Sequence, residues 1–162
     1  MHLKFRIILN VEEDVLRDII TDSNITLIEF SKIISSEFGF DSSEISTFHH
    51  SNENWEQLDE IKIFKIDEED KIMDNTTISN FFISKGDKLI FIYDFLNYWT
   101  FFIELYDLDE SIEMDKKYEC LNSIGDVPKM PPSDIFNTNN DKLIDDDLMD
   151  DDLIDYDDNQ ID

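Results

Sequence analysis

Two aromatic-rich apolar runs, Lys88 to Phe95 and Trp99 to Tyr106, are separated by just Leu96-Asn97-Tyr98. Runs of this length, dense in Ile, Phe, Tyr and Trp, read as strands, and so tight a connection makes them antiparallel neighbours. The first is apolar almost without interruption, which predicts burial on both faces and a central place in a sheet. Near the N-terminus Leu3, Phe5, Ile7 and Leu9 alternate with His2, Lys4, Arg6 and Ile8, the period of a half-buried strand. Val15 to Thr21 supplies its partner across the acidic turn Glu12-Glu13-Asp14, so the chain opens on a β-hairpin.

Between these pairs Thr26 precedes Glu29 by three residues, the spacing of a capping box, with Ile25 and Phe30 at the staple positions and Gly39 as the stop. A helix over this stretch puts Leu27, Phe30, Ile34 and Phe38 on one buried face. Ser46 to His50 and Ile61 to Ile66 read as short strands around a polar stretch holding Trp55. Asp67 to Asp70 is a solvated turn, and Thr77 to Ser84 a short second helix closed by Gly86. The order hairpin, helix, strands, short helix, strand predicts an α+β fold with a β-grasp-like mixed sheet, extended by Trp99 to Tyr106. Past Tyr106 the patterning fades, and Pro128, Pro131 and Pro132 interrupt regular structure. A single domain over residues 1–136 is expected, followed by a disordered acidic tail, 137–162.

The 162 residues include 13 Lys and Arg against 40 Asp and Glu, a net charge of −27, and residues 141–162 alone hold eleven Asp and one Lys. Such an excess disfavours phosphate backbones and anionic membranes and suits a basic protein partner. Thirteen Phe within 41% hydrophobic residues leave enough apolar surface to fold in spite of the charge. Cys120 is the lone cysteine, so no intrachain disulfide framework exists. The first residues mix charge into their apolar pattern, unlike a signal peptide, and a cytoplasmic protein is expected.

Tyr93-Asp94-Phe95-Leu96-Asn97-Tyr98-Trp99, then Tyr118-Glu119-Cys120 with Gly125, then Pro131-Pro132-Ser133-Asp134 resemble, in order, the motifs of the plasmid pRiA4b ORF-3-like family. Members of that family typically read Tyr-Asp-Phe-Gly-Asp-x-Trp-x-His in the hairpin, then Tyr-Pro-x-Cys with a Gly beyond it, then Pro-Pro-Glu-Asp before glycines. The helix and the region of Phe48 and Trp55 extend the likeness over most of residues 3–135. The resemblance implies a divergent acidic member of a family often labelled as passenger proteins of mobile elements, a label that implies no recombinase chemistry. Leu96-Asn97 stands here for the Gly-Asp, Phe101 or Phe102 for the His, and Ser133 with Ile135-Phe136 for the closing Glu and glycines. These replacements remove groups able to ionise or to ligate a metal.

His49 and His50 are strand neighbours that point to opposite faces, so they do not chelate one ion. Gly39, Gly86 and Gly125 are isolated, which leaves no phosphate-cradling loop, and the Asp runs of the tail lack the Gly and closing Glu of a calcium loop. No cofactor is expected. Tyr98, Trp99 and Phe102 form the candidate interaction surface, an apolar patch for a protein partner or a second copy if the outer sheet face is bare. The expected function is a non-enzymatic protein–protein interaction module that engages a basic partner, with the tail as an electrostatic arm and no direct contact to nucleic acid or membrane. The alternative is a small metal-binding or hydrolytic enzyme built on Asp94, Glu104, Cys120, Asp126 and Asp134, which lie on or near the family motifs.

Overall fold

The structure is a computed structural model, and it describes residues 1–132. The chain's first compact unit is Met1–Pro131. Its strands are β1 (His2–Leu9), β2 (Leu16–Asp22), β3 (Ser46–Ser51), β4 (Gln57–Lys62), β5 (Lys88–Tyr93), β6 (Trp99–Asp109) and β7 (Tyr118–Ile124), with one helix, α1 (Leu27–Glu37). The seven strands form one sheet in the order β4-β3-β5-β6-β1-β2-β7. The α+β class is therefore as expected. Every pairing is antiparallel, which corrects the mixed sheet of the β-grasp-like expectation. The cause is the placing of β6: it inserts between β5 and β1 and is the middle strand, where the sequence pattern had it extending an edge.

Burial alternates along β6, with Trp99, Phe101, Ile103 and Leu105 at most 5% exposed. These residues share a face with Leu3, Phe5, Ile7 and Leu9 of β1 and with Leu89, Phe91 and Tyr93 of β5. Helix α1 covers that face. Leu27, Phe30, Ile34 and Phe38 are all buried, as their spacing predicts. An unbroken chain of aromatic contacts runs through the core: Phe82 to Phe5 (4.7 Å), Phe5 to Phe30 (4.9 Å), Phe30 to Phe48 (6.2 Å), Phe48 to Phe91 (4.8 Å) and Phe91 to Phe101 (5.6 Å). Aromatic rings at these separations gain about 0.5–1.5 kcal/mol per pair beyond their area burial.

The helix ends follow local chemistry. The Thr26 hydroxyl accepts the Glu29 N–H and the Glu29 carboxylate accepts the Thr26 N–H, which closes the capping box. At the other end Gly39 takes φ +77°, its N–H donates to the Ser36 carbonyl, and the Phe40 N–H donates to the Ser35 carbonyl. That pair of bonds is a Schellman stop, and it fixes where Phe40 points.

Elsewhere the boundaries move. The strand expected at Ile61 to Ile66 lies at Gln57–Lys62, because an edge strand pairs through its backbone and needs few apolar side chains. The short helix expected at Thr77 to Ser84 is one 3₁₀ turn, Ile78–Asn80. Ile78 and Phe82 both drop into the core, and the Asp87 carboxylate takes the N–H groups of Ile83 and Ser84 that a continuing helix would use. Strand β7 was not foreseen at all, since most of its residues are exposed and it lacks an apolar alternation. The tail expected as disordered, 137–162, lies outside the described residues. Among the described residues no helix is long and apolar enough to cross a membrane.

The Asp67-Glu68-Glu69-Asp70 turn is organised by its last residue. The Asp70 carboxylate accepts the N–H groups of Asp67 and Ile66 and the Lys62 ammonium. The Asp67 N–H does most, then Lys62, and together they hold the acid down to about 2. A carboxyl whose folded pKa is depressed contributes stability above its unfolded pKa and loses it as the pH falls through the folded one. Carboxyl NMR is therefore expected to show Asp70 titrating near the bottom of the acid range, and Lys62→Ala is expected to move it up toward the ordinary value. An Asp70 that titrates with the other carboxylates would contradict this turn geometry.

Candidate binding site

Three segments meet at the end of the sheet where β5 turns into β6, and they line an open cavity of about 700 Å³. Tyr93 and Trp99 close their strands as a directly opposed pair. Phe40, aimed by the Schellman stop, packs on both, with ring centroids 5.1 Å from Tyr93 and 5.0 Å from Trp99. The Tyr93 hydroxyl donates to the Asp41 carbonyl, locking the chain that leaves α1 onto the hairpin. In the turn itself Asp94 and Tyr98 adopt positive φ, 61° and 55°. The Asp94 carboxylate holds this shape by accepting the Leu96 N–H at 3.1 Å and the Asn97 side-chain N–H at 2.6 Å. Asp94 tolerates its angle because a short polar side chain can bond back to the chain.

Asp41, Glu44 and Asp94 set a carboxylate rim around this aromatic wall. Burial, then the negative charges of Glu44, Asp41 and Asp94, push the Tyr93 hydroxyl up. Among the described residues none of the three forms an ion pair. The opposite wall is Val127 to Pro131, the segment that follows β7.

That wall is placed by a residue sequence reasoning passed over. Arg17 is 8% exposed and lies on the helix side of β2, paired with Ile7. Its guanidinium donates to the carbonyls of Glu37, Leu16, Ile124 and Gly125, and its centre sits 4.9 Å from the Phe38 ring. One side chain thus ties the C-terminal end of α1, whose carbonyls favour a cation, to the end of β7. The signal was present in the pattern: Arg17 falls on the inward phase set by Ile19, where a charge needs a reason.

The structure disperses the other candidates. Trp99 is 5% exposed on the helix side, whereas Phe102 lies on the opposite face beneath Trp55, centroids 5.1 Å apart. Tyr98 stands in the turn, its hydroxyl accepting from Gln57. Tyr98, Trp99 and Phe102 do not form one patch. Of the alternative set, Asp94 lines the cavity, Glu104 pairs with Lys88 on the outer face, and Asp126 is exposed at the start of the Val127–Pro131 wall. Cys120 pairs with Ile19 on the helix side, where burial and then the Glu37 carboxylate push its thiol up, away from the reactive thiolate. Asp134 lies outside the described residues. His49 and His50 do face apart, His49 against the Leu58 carbonyl and His50 against Phe81. Among the described residues no group of three His, Cys, Asp or Glu is placed to hold a metal ion.

Among the described residues, a one-helix antiparallel sheet whose hairpin end opens into an aromatic-walled cavity lined by three carboxylates and one cation, Lys129, is the class of protein these features define. The chain belongs to the family described as plasmid pRiA4b ORF-3-like protein, whose model matches residues 2–140. It is similar to the crystal structure of a protein of unknown function, MM3350, from Methanosarcina mazei Go1, at 18% identity and a TM-score of 0.59 over 75% of this chain and 69% of that one. No curated protein matches. The family-like residues Tyr93, Asp94 and Trp99 build the cavity, and Asn97, where the family has Asp, lines it. Phe101, one of the two residues the resemblance sets in place of the His, is fully buried behind it against Phe38 and Phe40, and the other, Phe102, lies on the opposite face.

Proposed function

We propose that this chain is a cytoplasmic, non-catalytic interaction module whose end cavity takes a lysine or arginine side chain from a basic partner protein. The observation that carries the reading is the rim of Asp41, Glu44 and Asp94, without ion-pair partners among the described residues, set against Phe40, Tyr93 and Trp99. Carboxylates supply charge, and the half-buried Phe40 ring, backed by the buried Tyr93 and Trp99, adds attraction for a cation that is worth about 0.5–2 kcal/mol. The volume falls in the range that accepts a ligand group of side-chain size or larger. The eleven Asp of residues 141–162 add a negative field that speeds encounter with a basic surface and makes it depend on salt.

Calorimetric titration of the full chain with an arginine-rich peptide, and with an acidic peptide of the same length, tests this. Removing two rim charges by Glu44→Gln with Asp94→Asn is expected to weaken arginine-peptide binding about tenfold, near 1.4 kcal/mol. Glu113→Gln, an exposed charge outside the cavity, is expected to leave it unchanged. Equal losses in both variants would mean that the peptide responds to net charge alone, and the cavity reading would fall.

A further inference from the structure

The Val127–Pro131 wall of the cavity differs in chemistry from the rim opposite it. Asp41, Glu44 and Asp94 give the rim three negative charges, and Lys129 gives the wall one positive charge. Lys129 is exposed and joins no ion pair among the described residues, although three carboxylates line the same cavity. The wall also offers backbone donors. Pro128 and Pro131 have no N–H, and no carbonyl among the described residues accepts the N–H of Lys129 or Met130 between them. The segment is stiff: Arg17 fixes its approach by donating to the Ile124 and Gly125 carbonyls, Val127 packs on the core, and the two prolines lock their own φ. An ammonium and two N–H groups on a stiff segment are the means by which a protein captures the terminal carboxylate of a peptide.

We infer that the cavity reads the carboxyl-terminal residue of its partner, a final arginine or lysine whose side-chain cation meets the acidic rim and whose terminal carboxylate meets Lys129. The inference rests on the cation-binding reading above and adds to it the position of the bound residue in the partner chain. A basic side chain from the middle of a chain satisfies the rim alone and brings its cation near the like charge of Lys129. A terminal residue brings one charge of each sign, which matches the two signs lining the cavity. In an extended arginine the guanidinium and the α-carboxylate lie about 7 Å apart, a separation that a cavity of about 700 Å³ spans. Bonds from an ammonium or an N–H to a carboxylate are about twice as strong as neutral ones, so the terminal group governs the choice of partner as well as the affinity.

Calorimetric titration of the full chain with two peptides of one sequence ending in arginine, one a free acid and the other a carboxamide, tests this. The net charge of −27 favours the carboxamide, which is more positive by one charge, so long-range attraction and terminal recognition predict opposite orders. The free acid is expected to bind about tenfold tighter. Lys129→Gln is expected to abolish that preference by weakening the free acid and not the carboxamide, and Lys129→Arg to keep it. Lys116→Gln, which removes an exposed cation outside the cavity, is expected to leave the preference unchanged. A carboxamide that binds as tightly as the free acid overturns the inference and leaves the cation-binding reading in place. So does a preference that persists in Lys129→Gln, or free arginine that binds as tightly as the free-acid peptide. If neither peptide binds, the cation-binding reading falls and the inference falls with it.

Discussion

Phe30→Ala is expected to lower the unfolding free energy by about 3–5 kcal/mol, the range for truncating a fully buried aromatic. Phe30 is 0% exposed and touches three other rings, Phe5 at 4.9 Å, Phe48 at 6.2 Å and Phe82 at 6.2 Å. Each comes from a different part of the chain: β1, β3 and the segment after the 3₁₀ turn. No single neighbour can collapse into the hole without leaving another contact, so the cavity term adds to the lost transfer energy. Phe30→Leu keeps much of the volume and is expected to cost under about 2 kcal/mol. Urea unfolding of both variants checks this, with the midpoint shifting and the slope unchanged if the native fold persists. A loss under about 1 kcal/mol for the alanine variant would mean that the helix does not seat as described.

The second large effect is backbone-driven. Gly125 has φ +78°, and a Cβ there would lie inside the van der Waals envelope of the Asp14 carbonyl in the β1–β2 turn. Gly125→Ala therefore combines the left-handed penalty of about 1–2 kcal/mol with an overpacking cost, for a total of about 2–4 kcal/mol. Gly39 is the internal comparison: its φ is +77°, yet nothing lies within 4 Å of its Cβ position. Gly39→Ala is expected to cost about 1 kcal/mol. The excess at Gly125 should be local, since the Arg17 bonds to Ile124 and Gly125 depend on that approach. Hydrogen exchange is expected to show β7 amides opening in Gly125→Ala while β5 and β6 stay protected. Equal costs at the two glycines would remove the close approach as the cause.

The departures from expectation share one cause. Helix α1 was readable because its signals are local: a capping box spans four residues, and a glycine stop acts within the last turn. The strands β1 and β5 were readable because one or both of their faces are buried, so burial writes itself into side-chain identity. Strands β4 and β7 sit at the two edges of the sheet, where pairing is by backbone groups that every sequence has, and their side chains stay mostly exposed. The 3₁₀ turn failed as a helix because Asp87, several residues downstream, captured its next N–H groups.

The candidate site divides in the same way. The Tyr93-Asp94 to Trp99 turn was marked in the sequence by its aromatics and by its likeness to the family motif. Its neighbours in the cavity, Phe40, Asp41 and Glu44, come from a loop some fifty residues earlier and carry no motif. The Val127–Pro131 wall arrives by way of a strand that was not foreseen. Chain-local chemistry settled the helix, its caps, the buried strand phases and the acidic excess, because each acts through groups a few residues apart. The tertiary structure alone decided that β6 lies between β5 and β1, that Trp99 and Phe102 look to opposite sides, and that three carboxylates converge beside Tyr93. Those outcomes depend on which strand pairs with which, and pairing is a contest among distant segments whose backbones all offer the same hydrogen bonds.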